Sequence, residues 1–286
     1  MKICHTIAEM RAASRAARQD GRRLGFVPTM GALHAGHISL VRAARQQCDV
    51  VAVSIFVNPT QFGPKEDFSK YPRTFEHDRE LLEAEGVAIL FAPATEEMYP
   101  PGSTTFVTVE GVSEKLCGRS RPGHFRGVST VVAKLFNIVE PDLAFFGQKD
   151  AAQAVIIRRM VRDLAFAVEI VVCPIVREPD GLALSSRNAY LDPRQRKQAT
   201  ILHRSLMRVQ ALAERGESDS ARLTAAALDV FKEEPEVRLD YFEIVDRETL
   251  DPIADISQGA LVAVAALVGS TRLIDNIVLP GTSRKS

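Results

Sequence analysis

The sequence predicts a doubly wound, mostly parallel α/β sheet followed by a smaller α+β domain. Three observations carry this. Apolar, β-branched runs alternate with amphipathic stretches from the N-terminus to about Val176. Val50–Asn58 is a mostly apolar, β-branched run, as in a strand buried on both faces. Beyond Val176 the alternation stops, and two helical stretches are followed by three strand-like runs.

Taken in order, Thr6-Ile7-Ala8-Glu9 forms a capping box that opens a helix ending near Gly21. Leu24–Thr29 reads as a strand, and Ile38–Gln47 as an amphipathic helix. The Val50–Asn58 strand leads into a polar loop from Pro59 to Arg73. Thr74–Glu85 reads as a helix, Val87–Phe91 as a strand, and Thr104–Val109 alternates like another strand. A helix over Ser129–Glu140, a strand over Leu143–Phe146, a helix over Asp150–Leu164 and a strand over Val168–Ile175 complete the first part. This is the Rossmann-like order, in which ligands sit beyond the carboxyl ends of the strands. His34, Asn58 and Gly147 all fall at or just past such ends.

Arg177 to Asp192 is polar, with a Pro-Asp-Gly turn signal. Helices follow over about Pro193–Arg215 and Ser220–Lys232. Tyr241–Val245, Leu261–Val268 and Leu273–Leu279 then read as strands, and the tail Ser283–Ser286 as frayed. The expected domains are residues 1–175 and 176–286, the second being a small α+β domain covering the active-site cleft.

The chain has 286 residues, 36 basic and 36 acidic, so it lacks the basic footprint of a nucleic-acid binder. No stretch of about 18 apolar residues is available to span a bilayer. Cys4, Cys48, Cys117 and Cys173 are far apart and form no C-x-x-C pair. They read as reduced thiols of a cytoplasmic protein.

The chemistry concentrates in four segments. The first is Pro28-Thr29-Met30-Gly31-Ala32-Leu33-His34-Ala35-Gly36-His37. A strand runs through a Gly-rich turn into a helix that carries two histidines at its start. Helix N-termini offer unpaired N–H groups and a positive dipole end, both suited to phosphate. Gly36 leaves room for a nucleotide backbone, and imidazole donors can stabilise a leaving pyrophosphate. An i, i+3 histidine pair also suits zinc, but no third ligand stands in suitable context. The second segment, Gly147-Gln148-Lys149-Asp150-Ala151-Ala152-Gln153, again follows a strand and opens a helix. Lys149 supplies a point charge and Asp150 an acceptor for ribose, although Asp150 and Gln153 alone would suit a capping pair. The third, Leu184-Ser185-Ser186-Arg187-Asn188, offers two hydroxyls and a guanidinium on a loop that can close over phosphates. The fourth, Asn58-Pro59-Thr60-Gln61-Phe62, suits a small polar acid with an apolar body.

On these residues the chain resembles the pantoate–β-alanine ligases, within the nucleotidyltransferase superfamily that shares the HIGH signature. The matching stretches are Phe26–His37, Phe56–Phe62, Tyr71–Thr74, Arg121–Gly127, Phe145–Gln153 and Leu184–Leu191, with Asp240–Asp246 near the C-terminus. The resemblance implies ATP-dependent condensation of pantoate with β-alanine to pantothenate, on the route to coenzyme A, through a pantoyl-adenylate. It implies that His34 and His37 bind ATP phosphates and stabilise the transition state, with Lys149, Ser185, Ser186 and Arg187 as a catalytic phosphate clamp. By the same resemblance Gly147 and Asp150 contact ribose, and Val176 and Leu184 read adenine through their backbones. Asn58, Gln61 and Gln153 hold pantoate, with Met30 lining both the pantoate and the ATP pockets. Asp78 belongs to a region linked to Mg²⁺, the expected metal. Leu184 replaces the family's usual methionine, a change of similar volume. His77 stands where some relatives carry a carboxylate, which removes one candidate metal ligand. A homodimer is implied, with no nucleic-acid or membrane partner.

Three rivals remain at this stage. A nucleotidylyltransferase would keep AMP on its product, so free AMP distinguishes it. A tRNA-binding synthetase-like protein fits poorly with neutral charge and a short C-terminal domain. A non-catalytic nucleotide sensor has no need of the Lys149, His34 and His37 set.

Overall fold

The structure is a computed structural model that describes residues 1–63 and 68–281. Part of the Pro59–Arg73 loop and the tail Ser283–Ser286 therefore lie outside the described residues. The first elements are β1 (Lys2–Cys4), α1 (Ile7–Ala17), β2 (Leu24–Thr29), α2 (Ala35–Gln47), β3 (Val50–Ile55), α3 (Phe75–Ala84) and β4 (Ile89–Phe91). Two short helices follow, α4 (Thr95–Met98) and α5 (Cys117–Ser120). Then come α6 (His124–Val139), β5 (Leu143–Gly147), α7 (Ala151–Asp163) and β6 (Glu169–Cys173). The rest holds α8 (Pro193–Gln198), α9 (Ile201–Glu214), α10 (Ser220–Phe231), β7 (Arg238–Val245), β8 (Ala260–Val268) and β9 (Thr271–Leu279).

The chain forms two compact units. One holds Met1–Ser113, Gly118–Gln148 and Ile156–Pro174; the other holds Glu114–Cys117, Lys149–Val155 and Ile175–Ser286.

The first unit is built on a six-stranded sheet in the order β1-β4-β3-β2-β5-β6, all pairs parallel. This is the doubly wound order with one extra edge strand, and its switch point lies between β2 and β5. β2 pairs with β3 over six residues, from Leu24↔Val50 to Thr29↔Ile55. Its ladder with β5 holds only Gly25↔Leu143 and Phe26↔Ala144. The two strands therefore part before their carboxyl ends, which opens the sheet where ligands of such folds bind. Val27, Val53, Leu90 and Phe145 from the sheet pack with Val41 of α2 and Leu82 of α3 in one core.

The second unit has an antiparallel sheet, β7-β8-β9. Its core joins Leu206 and Val209 of α9, Leu223 and Ala227 of α10, and Ile244, Val262 and Val264 of the sheet.

Several elements depart from the sequence expectation for local reasons. Thr104–Val109 is not a strand. Its backbone bonds go to helix side chains instead: Val107 N–H donates to Thr130 Oγ1 at 2.9 Å, and Ser129 Oγ donates to the Val107 carbonyl at 3.2 Å. α6 starts at His124 rather than Ser129, with Gly127 inside the helix. There a Cβ would stand 2.3 Å from the Thr60 carbonyl, so glycine is what lets α6 approach the turn at Pro59–Gln61. The helix expected over Pro193–Arg215 is broken after Gln198. Thr200 Oγ1 donates back to the Lys197 carbonyl at 2.8 Å, a local bond that competes with the helical ladder. β1 is too short to show an alternating pattern.

Candidate active site

The loop from β2 to α2 carries the two histidines. Gly31 and Ala32 are both left-handed, with φ of +79° and +52°. For alanine this costs roughly 1–2 kcal/mol, so something must hold the turn. Asp78, fully buried in the first turns of α3, does so. Its Oδ2 accepts the Ala32 N–H and its Oδ1 the Leu33 N–H, both at 2.8 Å. Thr74 Oγ1 donates to Oδ1 at 3.2 Å.

The turn ends at His34, which is the N-cap of α2. His34 Nδ1 accepts the Gly36 N–H at 3.1 Å, and His37 Nδ1 accepts the His34 N–H at 3.3 Å. The two bonds form a reciprocal capping box, with ring centroids 4.2 Å apart. Because each Nδ1 is an acceptor, each neutral ring carries its proton on Nε2. Both imidazoles are thereby set as Nε2–H donors at a helix N-terminus. Gly36 also has a reason within the chain itself. A Cβ there would meet His34 Cε1 at 2.8 Å, so the glycine makes room for the histidine ring.

A second cluster follows β3. Asn58 is 1% exposed and caps the turn Pro59–Gln61. Its Oδ1 accepts from Thr60 Oγ1 at 2.9 Å and from the Tyr99 hydroxyl at 3.0 Å. Its Nδ2 donates to Gln61 Oε1 at 3.2 Å and to the Gly127 carbonyl at 3.1 Å. Gln61 Nε2 in turn donates to Met30 Sδ at 2.8 Å. The expected pantoate residues Met30, Asn58 and Gln61 are thus one hydrogen-bonded chain, with Asn58 as its buried organiser. Burial raises the Tyr99 hydroxyl pKa, so it stays a neutral donor. His124 Nδ1 lies 2.8 Å from the Gln61 carbonyl, with Arg121 Nη1 3.0 Å from its Nε2. Sequence reasoning misses Tyr99 altogether, since a lone tyrosine far along the chain carries no motif.

A cavity of about 370 Å³ is lined by Met30, Gly31, Ile55, Val57, Arg73 and Asp78 among the described residues. Gly147, at the end of β5, has open space where a Cβ would stand.

The remaining candidates belong to the second unit. Lys149 and Asp150 form a 3-10 turn with Gln148, and Gln153 lies in the first turn of α7. Asn276 Nδ2 donates to the Lys149 carbonyl at 3.0 Å. The Leu184 N–H donates to the Val176 carbonyl at 3.0 Å. The Pro179-Asp180-Gly181 turn lies between them, closed by the Gly181 N–H on the Glu178 carbonyl at 2.8 Å. Arg196 clamps this hairpin through Asp180 and Glu178, each at 2.7 Å. Arg177 pairs with buried Asp275 at 2.6 and 2.9 Å. Ser185 Oγ caps the next 3-10 turn, Ser186–Tyr190, by accepting the Arg187 N–H at 3.2 Å. Ser185 and the Ser186–Tyr190 turn thus form one capped segment.

All four cysteines are free thiols, and burial raises the pKa of Cys4, Cys48 and Cys173. Among the described residues no helix is long and apolar enough to cross a membrane.

Known proteins match over almost the full length. The family model described as pantoate-beta-alanine ligase matches residues 2–278. The pantothenate synthetase of Koribacter versatilis (strain Ellin345) is 64% identical over 279 residues, covering 98% of this chain and 96% of the relative. The crystal structure of pantothenate synthetase from Thermus thermophilus superposes with a TM-score of 0.92 at 50% identity, covering 97% of this chain and 99% of that one. That of the pantoate-beta-alanine ligase from Francisella tularensis, complexed with beta-gamma ATP and beta-alanine, gives 0.79 at 34% identity, covering 97% of each chain. The chain belongs to the pantoate–β-alanine ligase family.

Proposed function

We propose that this chain joins pantoate to β-alanine in two steps, with each site residue acting as follows. A pantoate carboxylate oxygen attacks the α-phosphorus of ATP, forming pantoyl-adenylate and releasing pyrophosphate. The neutral amine of β-alanine then attacks the pantoyl carbonyl, forming the amide and releasing AMP. The observation that carries this reading is the pair of Nε2–H donors at the N-terminus of α2, next to the point where β2 and β5 part.

A carboxylate and a triphosphate repel each other, so the protein's task is positioning and charge stabilisation. His34 and His37 donate to the ATP phosphates. Lys149, Ser185, Ser186 and Arg187 add the positive charge and hydroxyl donors that the leaving pyrophosphate needs. Gly147 and Asp150 serve ribose, and Val176 and Leu184 serve adenine. Met30, Asn58, Gln61 and Gln153 hold pantoate; in this set Asn58 orients the Gln61 amide rather than offering its own saturated one.

Among the described residues no three His, Cys, Asp or Glu side chains could hold a metal ion, and both Asp78 oxygens accept backbone N–H groups. Mg²⁺ enters as part of the MgATP substrate, as suits an ion that keeps its waters and takes phosphate ligands. The free thiols suit a reducing, cytoplasmic setting. We infer a homodimer from the family; a light-scattering mass of two chains is expected, and that of one chain would contradict it.

Product analysis separates this reading from its rival. With ATP, pantoate and β-alanine, AMP and pantothenate form in equal amounts. A stable adenylylated product without free AMP would instead mark a nucleotidylyltransferase.

A further inference from the structure

We propose that Asp78 is a positioning residue for adenylate formation: its buried carboxylate locks the left-handed turn at Gly31-Ala32 and so sets where His34 and His37 present their Nε2–H donors. The proposal rests on the phosphate role assigned to those histidines above.

Three observations support it. The carboxylate is fully buried, yet its two oxygens accept consecutive backbone N–H groups, Ala32 and Leu33, each at 2.8 Å. Two successive residues with φ of +79° and +52° form a turn whose Ala32 and Leu33 N–H groups both meet the carboxylate. That carboxylate is supplied from α3. The turn is also tight around it: a Cβ on Gly31 would stand 3.0 Å from Asp78 Oδ2 and 3.0 Å from Ile55 Cγ2. Leu33 is followed directly by His34, the cap of α2, so a rotation of the turn swings the whole capping box. The contribution of Asp78 passes through the backbone into the two imidazoles.

The experiment is Asp78→Asn, which keeps the volume but sets an NH₂ group against one of two backbone N–H donors. Pantoate-dependent ATP–pyrophosphate exchange is measured across ATP, pantoate and Mg²⁺ concentrations in protein that unfolds cooperatively. The expected result is a fall in kcat of at least about tenfold with each KM within about threefold of wild type, as for a displaced catalytic group. The half-saturating Mg²⁺ concentration stays unchanged, and ¹⁵N spectra show changed His34 and His37 ring signals. Wild-type kcat would overturn the proposal. So would activity restored by excess Mg²⁺, which would make Asp78 a metal ligand. Thr74→Val removes only the hydroxyl bond to Oδ1 and covers the case in which the Asn variant does not fold. It should lower kcat by about threefold at unchanged KM, and wild-type kcat there would count against the lock. His34→Ala is run alongside. If it too keeps wild-type exchange, the histidine site itself is wrong; if only the Asp78 variant does, the site stands and the positioning claim fails.

Discussion

The Gly36 N–H donates to Nδ1 of His34 at 3.1 Å, so a single backbone bond caps a helix and fixes the proton of an imidazole on its outward nitrogen. The histidine is a structural cap and a candidate phosphate donor at once. Replacing it therefore affects both folding and rate, and the two effects can be separated. His34→Ala should cost about 1 kcal/mol of stability, as for a lost N-cap. It should lower the rate of adenylate formation by about 10²–10³, as for a lost transition-state donor. His34→Asn restores the cap but not the donor at Nε2. It should recover the melting temperature and leave the rate low. Calorimetry and single-turnover adenylate formation check the pair.

Lys149 offers the opposite balance. It is half-buried in the turn after β5, and it is the Lys149 carbonyl, not the ammonium, that Asn276 holds. Lys149→Ala should change stability by no more than about 0.5–1 kcal/mol while lowering kcat by at least about 10². An unchanged kcat in a burst experiment would remove Lys149 from the phosphate clamp.

Tyr99 tests the organiser role of Asn58. Tyr99→Phe removes the hydroxyl that donates to Asn58 Oδ1 at 3.0 Å. The amide then loses one of its bonds and orients Gln61 less well. The KM for pantoate should rise by about 3–10-fold and stability fall by about 1–2 kcal/mol, with the KM for ATP unchanged. An equal rise in both KM values would argue that the loss is general.

The second unit predicts a pH effect on stability. His203 on α9 packs against Gly181, where a Cβ would meet its ring at 2.0 Å, and its Nδ1 has no hydrogen-bond partner among the described residues. Burial first, and then the Arg177 charge, lower its pKa below the ordinary 6.5, against weaker opposing effects of Asp275 and Asp180. The unfolded chain therefore takes up a proton in a pH range where the folded chain does not. Stability from this group is complete above the unfolded pKa and falls as pH drops toward the lower folded value. The melting temperature of wild type should decline below about pH 6.5 more steeply than that of His203→Gln. Parallel declines would contradict the assignment.

Much of this is legible in the sequence, for physical reasons that differ by element. β2, β3 and β5 are apolar runs buried by the sheet, so the pattern reports them directly. The histidine pair and the glycines stand close together along the chain, where spacing is informative. Asp78 stands out in the sequence only for its neighbourhood, and its contact with Ala32 spans 46 positions. No local pattern reveals such a bond. Tyr99 escapes notice because its bond to Asn58 spans 41 positions. The supposed strand at Thr104–Val109 has the alternation of a strand, but Ser129 and Thr130 on α6 take the Val107 backbone groups that a ladder would use. Gly36 makes room for the ring two residues before it, a contact that spacing alone does not reveal.

The central claim is that this chain activates pantoate by adenylation. ATP–pyrophosphate isotope exchange, measured with MgATP, with and without pantoate, and with no β-alanine present, tests it most directly. The account predicts exchange that requires pantoate, disappears in Lys149→Ala, and is strongly reduced in His34→Ala. Folded, ATP-binding protein that shows no exchange with pantoate would contradict a reversible acyl-adenylate step.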